Sequence, residues 1–308
     1  MVQKIGLKTR DDKTQLVYAL DQPLSADQVH LLIPSSDGMK ALWERHIELY
    51  ESKVKLKPWK EDILAVPSNT AEIDFSDAQL CVTTSYYAQM VRDHGLSGLK
   101  PLTVQGIVRT SDERILVGVR QGFVQNEKVS LMPLGYAAAP AEGATGNPLF
   151  QQLYAEASEE IGLTADHFED VRLLGYQTDP EFTQGINLVF LAQSKLDAAQ
   201  VQVIYDTSYA IYSQAHDRIF EETNDKSQAR RAAKKAVTTA GFPNLDVGDH
   251  HPIVFLEDNF AGLEETVGEA VRDGGITLDR GLGPAYPLMA ICRGGLRMYQ
   301  EQKPRLHL

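Results

Sequence analysis

Glu156, Glu159 and Glu160 stand in the run Tyr154-Ala155-Glu156-Ala157-Ser158-Glu159-Glu160-Ile161-Gly162-Leu163, where residue type and spacing point most directly to chemistry. On a helix turning about 100° per residue, Glu159 falls near 300° and Glu160 near 40° from Glu156, so the three carboxylates share an arc of roughly 100°. Like charges one turn apart repel one another. They also occupy the C-terminal half of the helix, where the dipole disfavours negative charge. A cation should compensate. A divalent ion held through carboxylate oxygens and water, Mg2+ or Mn2+, suits a few carboxylates plus the phosphate oxygens of a substrate. The same residues also fit an acidic stripe facing solvent, which is the commoner use of such a pattern.

The helix that would carry these acids is well punctuated. Asn147 is a favoured cap, Pro148 a favoured first helical residue, and Gly162 a C-terminal stop, which predicts a helix over 148–161. Phe150, Leu153, Tyr154, Ala157 and Ile161 share the neighbouring arc and supply a face for packing. Before it, Thr103–Arg109 and Arg114–Arg120 alternate as two strands joined by a polar turn, a predicted hairpin. A strand at 129–132 then leads through Pro133-Leu134-Gly135 into a loop of small residues. After the helix, strands are expected near 172–175 and 186–191, with a loop at 178–183 between them. A charged helical segment at about 205–240 includes Arg230-Arg231-Ala232-Ala233-Lys234-Lys235, a run of the kind usually found on a solvated helix face. The chain closes with a strand at 253–256 and helices near 262–273 and 287–302. Residues 1–98 read as a small α+β unit with strands at 15–20 and 29–34, a helix near 39–52, and a strand-to-helix passage at 80–91.

The run Ala155–Leu163 resembles the second half of the Nudix box, G-x5-E-x7-R-E-U-x-E-E-x-G-U, in which U is aliphatic. Two departures stand out. Ala155 occupies the place of the box arginine and Asn147 that of its first glutamate. Gly135 lies 20 residues before Ala155 where the box has 14, so the loop is about six residues longer, and Glu142 within it is a substitute for the missing acid. The resemblance spans roughly 101–195. It implies an α+β fold of the Nudix type, an α/β/α sandwich with a mixed sheet, over 99–308 with a helical insertion at about 205–240, beside a small N-terminal α+β domain over 1–98.

For the site, the resemblance implies that Glu156, Glu159 and Glu160 bind Mg2+ or Mn2+. Glu156 and Glu160 are the first ligands, and Glu159 is a further ligand or the acceptor of the water's proton. A later acid joins them in many family members, and Asp179, Glu181 and Glu222 are candidates. Arg120 and Arg109 could contact a substrate phosphate, and Gly135 could line the substrate. The implied activity is metal-dependent hydrolysis of the diphosphate linkage in a nucleoside diphosphate joined to another moiety. A Nudix-like nucleotide-binding or interaction domain with weak or no catalysis is the alternative. An isoprenoid diphosphate isomerase ranks last, because it needs a catalytic cysteine and neither Cys81 nor Cys292 falls in the motif region. Many family members dimerise, so a homodimer is a further expectation.

The remaining features bound these readings. With 42 Asp+Glu against 30 Lys+Arg the net charge is −12, which argues against nucleic acid and anionic membrane as partners. Cys81 and Cys292 have no spacing of a zinc site and read as reduced structural thiols. The N-terminus lacks an apolar signal segment and no run is long and apolar enough to span a bilayer, so a cytoplasmic location is expected. Asp249-His250-His251-Pro252 reads as a loop leading into the strand at 253–256, since adjacent histidines point apart in a strand.

Overall fold

Residues Leu99–Arg109 alternate so that Leu102, Val104 and Val108 point to one face and Ile107 to the other, with all four buried. A strand buried on both faces needs neighbours on both edges and a layer above and below. The computed structural model supplies both, and it describes residues 2–8, 14–33, 62–67, 70, 72–84, 99–121, 128–141, 143–178, 185–242, 247, 250–258 and 289–306.

In chain order the strands are β1 (Val2–Lys8), β2 (Thr14–Leu24), β3 (Leu31–Leu32), β4 (Asp62–Pro67), β5 (Ala78–Gln79), β6 (Cys81–Thr84), β7 (Leu99–Arg109) and β8 (Arg114–Arg120). They continue with β9 (Val129–Leu131), β10 (Leu134–Tyr136), β11 (Phe168–Thr178), β12 (Ile186–Ser194) and β13 (His250–Glu257). The helices are α1 (Pro148–Glu160), α2 (Ala198–Thr223), α3 (Lys226–Thr239) and α4 (Ala290–Gln302). Eleven strands form one mixed sheet whose main path is β1-β2-β11-β12-β7-β4-β6. β12 and β7 run parallel, while the other pairs in this sheet are antiparallel. β10 lies against β7 with Gly135 opposite Val104, and β8 joins β7 at Arg109 opposite Ile115.

The fold is α+β, with helices on both faces of this sheet. Leu149, Phe150, Leu153 and Ala157 of α1 pack on the face that carries Leu102, Val104 and Val108. α2 and α3 add Val201, Tyr205, Ala233 and Val237 to that same core. Ile291, Cys292, Leu296 and Tyr299 of α4 cover the opposite face around Ile107, Val117 and Val189. Each fully buried Leu or Phe contributes about 1.5–3 kcal/mol, so two such layers hold the sheet between them. At the C-terminal end of the fold, a bulge between Leu173 and Gly175 takes Leu174 out of the strand ladder. Gln302 of α4 donates to the freed carbonyl of Leu174 at 2.6 Å and to that of Leu20 at 2.8 Å.

Residues 1–98, expected to stand as a unit of their own, instead feed strands into this sheet. β2 pairs with β11, and Tyr18 stacks on Tyr176 at 4.5 Å, while β4 pairs with β7 from Ala65 opposite Pro101. Open strand edges were available at both places, and backbone groups there are satisfied by pairing. The expected helical insertion is present as α2 and α3, starting a few residues earlier than predicted. The helices expected near 39–52 and 262–273 lie outside the described residues, as does the passage from 85 to 91.

Candidate functional site

The acid-bearing helix forms as its punctuation requires. Asn147 accepts the amide of Leu149 at 3.1 Å, Pro148 opens the first turn, and Gly162 takes φ 86°. With Gly162 in that left-handed conformation, the amides of Ile161, Gly162 and Leu163 turn back onto the last carbonyls of α1, chiefly Ala157. The helix therefore ends with Glu160 fixed directly over β10.

The three acids have different surroundings. Glu160 is only 7% exposed, and its Oε2 accepts the backbone amide of Leu134 at 3.1 Å. Glu156, half-buried one turn earlier, accepts from Gln152 Nε2 at 2.7 Å and rests on Gly135. A Cβ at Gly135 would stand 1.9 Å from Glu156 Oε1, so only glycine leaves room for that carboxylate. Gly135 thus acts on Glu156 rather than as a surface for substrate. Glu159 is exposed on the flank of the helix.

A second group meets Glu160 from across the sheet. β13 pairs with β8 so that His250 lies opposite Arg120, and His250 Nδ1 stands 3.7 Å from Glu160 Oε1. Burial, with the positive charge of Arg120 beside it, pushes the His250 imidazole well below its ordinary pKa and keeps it neutral. Both its ring nitrogens and Arg120 Nε are buried without a hydrogen-bond partner among the described residues. Tyr205 of α2 closes the back of the cluster, its hydroxyl donating to the His250 carbonyl. Burial raises the Tyr205 hydroxyl's pKa, and the neighbouring Tyr209, Asp206 and Glu160 raise it further. His251 stacks on Tyr209 of α2 at 3.7 Å, and its ring also lies near Tyr205.

The other residues singled out in the sequence are dispersed. Arg109 shares the face of Ile107, opposite to α1, where Asp258 at 2.6 Å, Gln193 at 3.0 Å and Glu113 at 3.0 Å enclose it. The alternation along β7 sends odd positions away from the carboxylates, so Arg109 is a structural ion pair and not a substrate contact. Glu222 is exposed near the end of α2, about 25 Å along the helix axis from Tyr205 at 1.5 Å per residue, and joins no acid of α1. Glu142, Asp179 and Glu181 lie outside the described residues. Cys292 is buried on the α4 face with its thiol pushed up by burial, and burial raises the half-buried Cys81 too, so neither is an activated nucleophile.

Two carboxylates side by side beside a glycine-sized cradle suit a cation that keeps most of its water. Mg2+ usually takes one or two protein carboxylates plus substrate phosphates, whereas a closed structural site needs about four protein ligands. Among the described residues no three His, Cys, Asp or Glu side chains are grouped to hold a metal ion by themselves. The fit is thus to an open, substrate-completed site on Glu156 and Glu160 and not to a closed one. A cleft of about 540 Å3 lined by Asp21, Pro23, Arg172, Gln193 and Arg305 lies elsewhere, with Leu191 and Gln193 on the α4 face.

Three solved structures are similar to parts of the chain. Tm1382, provisionally described as a Nudix hydrolase, is 17% identical with a TM-score of 0.28, over 44% of this chain and 78% of that one. DR0079 from Deinococcus radiodurans is 15% identical with a TM-score of 0.28, over 44% and 73%. A bifunctional NMN adenylyltransferase/ADP ribose pyrophosphatase from Francisella tularensis is 17% identical with a TM-score of 0.21, over 31% and 26%. No family model and no curated protein matches the sequence. No helix among the described residues is long and apolar enough to cross a membrane.

Proposed function

We propose that the chain hydrolyses the diphosphate linkage of a nucleoside diphosphate joined to another moiety, using a divalent cation bound at Glu156 and Glu160. The observation that carries this reading is the seating of both carboxylates against β10, one on the Leu134 amide and the other on the bare α-carbon of Gly135. A surface acidic stripe would have no need of either. When bound, Mg2+ or Mn2+ supplies charge neutralisation at the phosphate oxygens and a more acidic water.

The chain's own groups do the rest. Glu156 and Glu160 hold the cation, and Glu159 lies exposed on the flank of the same helix, where a weak base can take a proton from an attacking water. Arg120, on the same sheet face, offers a planar guanidinium to a phosphate. Ala155 supplies none of the orientation that the Nudix box arginine would, so Glu160 depends on the Leu134 amide and on what faces its other oxygen.

The near-complete burial of Glu160 favours a second reading, a domain that binds the nucleotide without turning it over. Both readings are tested by incubating the protein with a panel of dinucleotides and nucleoside diphosphate sugars, with and without Mg2+ or Mn2+. Release of a mononucleotide that needs the metal and is lost in Glu160→Gln is the expected result. Ligand binding without any release would give the second reading the field, and neither binding nor release would overturn both.

A further inference from the structure

His250 has no part in the proposed hydrolysis as described so far, yet it is the most isolated polar side chain near it. The ring is fully buried, and neither nitrogen has a hydrogen-bond partner among the described residues. Leaving a buried polar group unpaired is costly, so such a group calls for a reason beyond packing. Glu160 Oε1 stands 3.7 Å from Nδ1, slightly beyond hydrogen-bond range and within reach of a small side-chain rotation. Contacts at catalytic sites are often long before the ligands arrive and tighten with them.

We infer that His250 is the positioning residue for Glu160, its Nδ1–H donating to Oε1 while the Leu134 amide holds Oε2. A carboxylate gripped at both oxygens keeps one orientation, the service that outer hydrogen-bond partners give to metal-binding groups. The inference rests on the hydrolase reading for its catalytic consequence, but the contact itself does not. Three surrounding features support it. An imidazole carries at least one N–H, which needs an acceptor, and Glu160 Oε1 is a carboxylate oxygen 3.7 Å from Nδ1. Arg120, cross-strand from His250, encloses the ring from β8. Tyr205 fixes the His250 backbone by donating to its carbonyl, so the ring's position is set by three elements, β8, β13 and α2.

The test has two arms that fail separately. In the first, 15N spectra of protein labelled at histidine are recorded for the wild type, Glu160→Gln and Glu159→Gln, with the His250 signals identified by their loss in His250→Asn. The expected result is a neutral ring protonated at Nδ1, whose signals move in Glu160→Gln and stay in Glu159→Gln. A ring protonated at Nε2, or one indifferent to Glu160, overturns the inference. In the second arm, His250→Leu removes the donor, His250→Asn places an amide nitrogen where Nδ1 was, and thermal melting checks that each is folded. His250→Leu is expected to lower kcat by roughly 10–100-fold with KM little changed, and His250→Asn to recover most of it. Equal losses in both variants, or a change in KM alone, would sink the positioning role. A wild-type protein with no metal-dependent hydrolysis removes the proposed function instead, and the spectra then decide the His250 contact by themselves.

Discussion

On the α4 face of the sheet, Arg109 is enclosed by Asp258, Gln193 and Glu113, and Tyr299 and Lys303 each add a bond to Asp258 at 2.7 Å. On the α1 face, Arg120 and His250 hold buried nitrogens with no hydrogen-bond partner among the described residues, a short distance from Glu160. Both clusters bury charge at strand ends, and both would look alike in a list of polar residues. The closed one stabilises the fold, because each charge has its counter-charge. The open one leaves donors and acceptors for something to complete, and unsatisfied buried groups of this kind are a mark of sites that bind.

That contrast can be broken in several ways. The largest effect is expected from Asp258→Ala, which removes the buried carboxylate shared by Arg109, Tyr299 and Lys303 and should cost about 3–5 kcal/mol in denaturant unfolding. Arg120→Met should cost less than about 1 kcal/mol, since no ion pair of Arg120 is present among the described residues. Its effect should be a raised KM for an anionic substrate. Equal stability losses at the two positions would erase the difference between the clusters.

Gly135→Ala sharpens the comparison next. Its Cβ would displace the flexible Glu156 carboxylate from its seat, so activity should fall steeply while thermal stability changes little. Retained activity would show that Glu156 need not sit where the structure places it.

Acidification probes the open cluster through stability. The folded-state pKa of His250 is lowered, so the unfolded chain binds the proton more readily and the stabilisation is lost as pH falls below the ordinary histidine value. The groups that face the ring are Glu160 from α1, Arg120 from β8 and Tyr205 from α2. Below about pH 6.5 the wild type should lose up to ~1.4 kcal/mol per pH unit more than His250→Asn does. Parallel pH curves for the two proteins would contradict a neutral buried ring. The smallest effect is Asn147→Ala, where losing the cap of α1 should cost about 1 kcal/mol with the carboxylate geometry otherwise kept.

The parts of this arrangement that were legible in the sequence are those set by neighbours in the chain. α1 could be bounded within a residue or so because Asn147, Pro148 and Gly162 each act within one turn of the helix. The hairpin of β7 and β8 was legible for the same reason, its turn lying between two alternating runs. β10 was not, since Leu134–Tyr136 is short and reads as a turn until β7 pairs with it. Nor was the role of β2 and β4, because pairing with strands far along the chain, such as β2 with β11, leaves no local trace.

Among the site residues, Glu156 and Glu160 were legible as a pair at one-turn spacing. Arg109 misled because a strand's alternation tells which residues share a face but not which face meets α1. His250 was passed over because simple strand alternation was applied to a stretch where the register shifts. What decides its surroundings is the register of β13 on β8, and a shift between His250 and Ile253 breaks the alternation that would have extended inward from the strand. A histidine adjoining a strongly apolar strand was the one signal available, and pairing was needed to give it a partner.

Gln302 ties the last helix to the carbonyls of Leu20 and Leu174, joining segments from the beginning, the middle and the end of the chain. During synthesis the N-terminal strands emerge long before either of those partners exists. The seam between β2 and β11 can pair in the growing polypeptide once β11 has followed, but its latch must wait for α4, and a product that stops short of α4 is left with that seam unlatched.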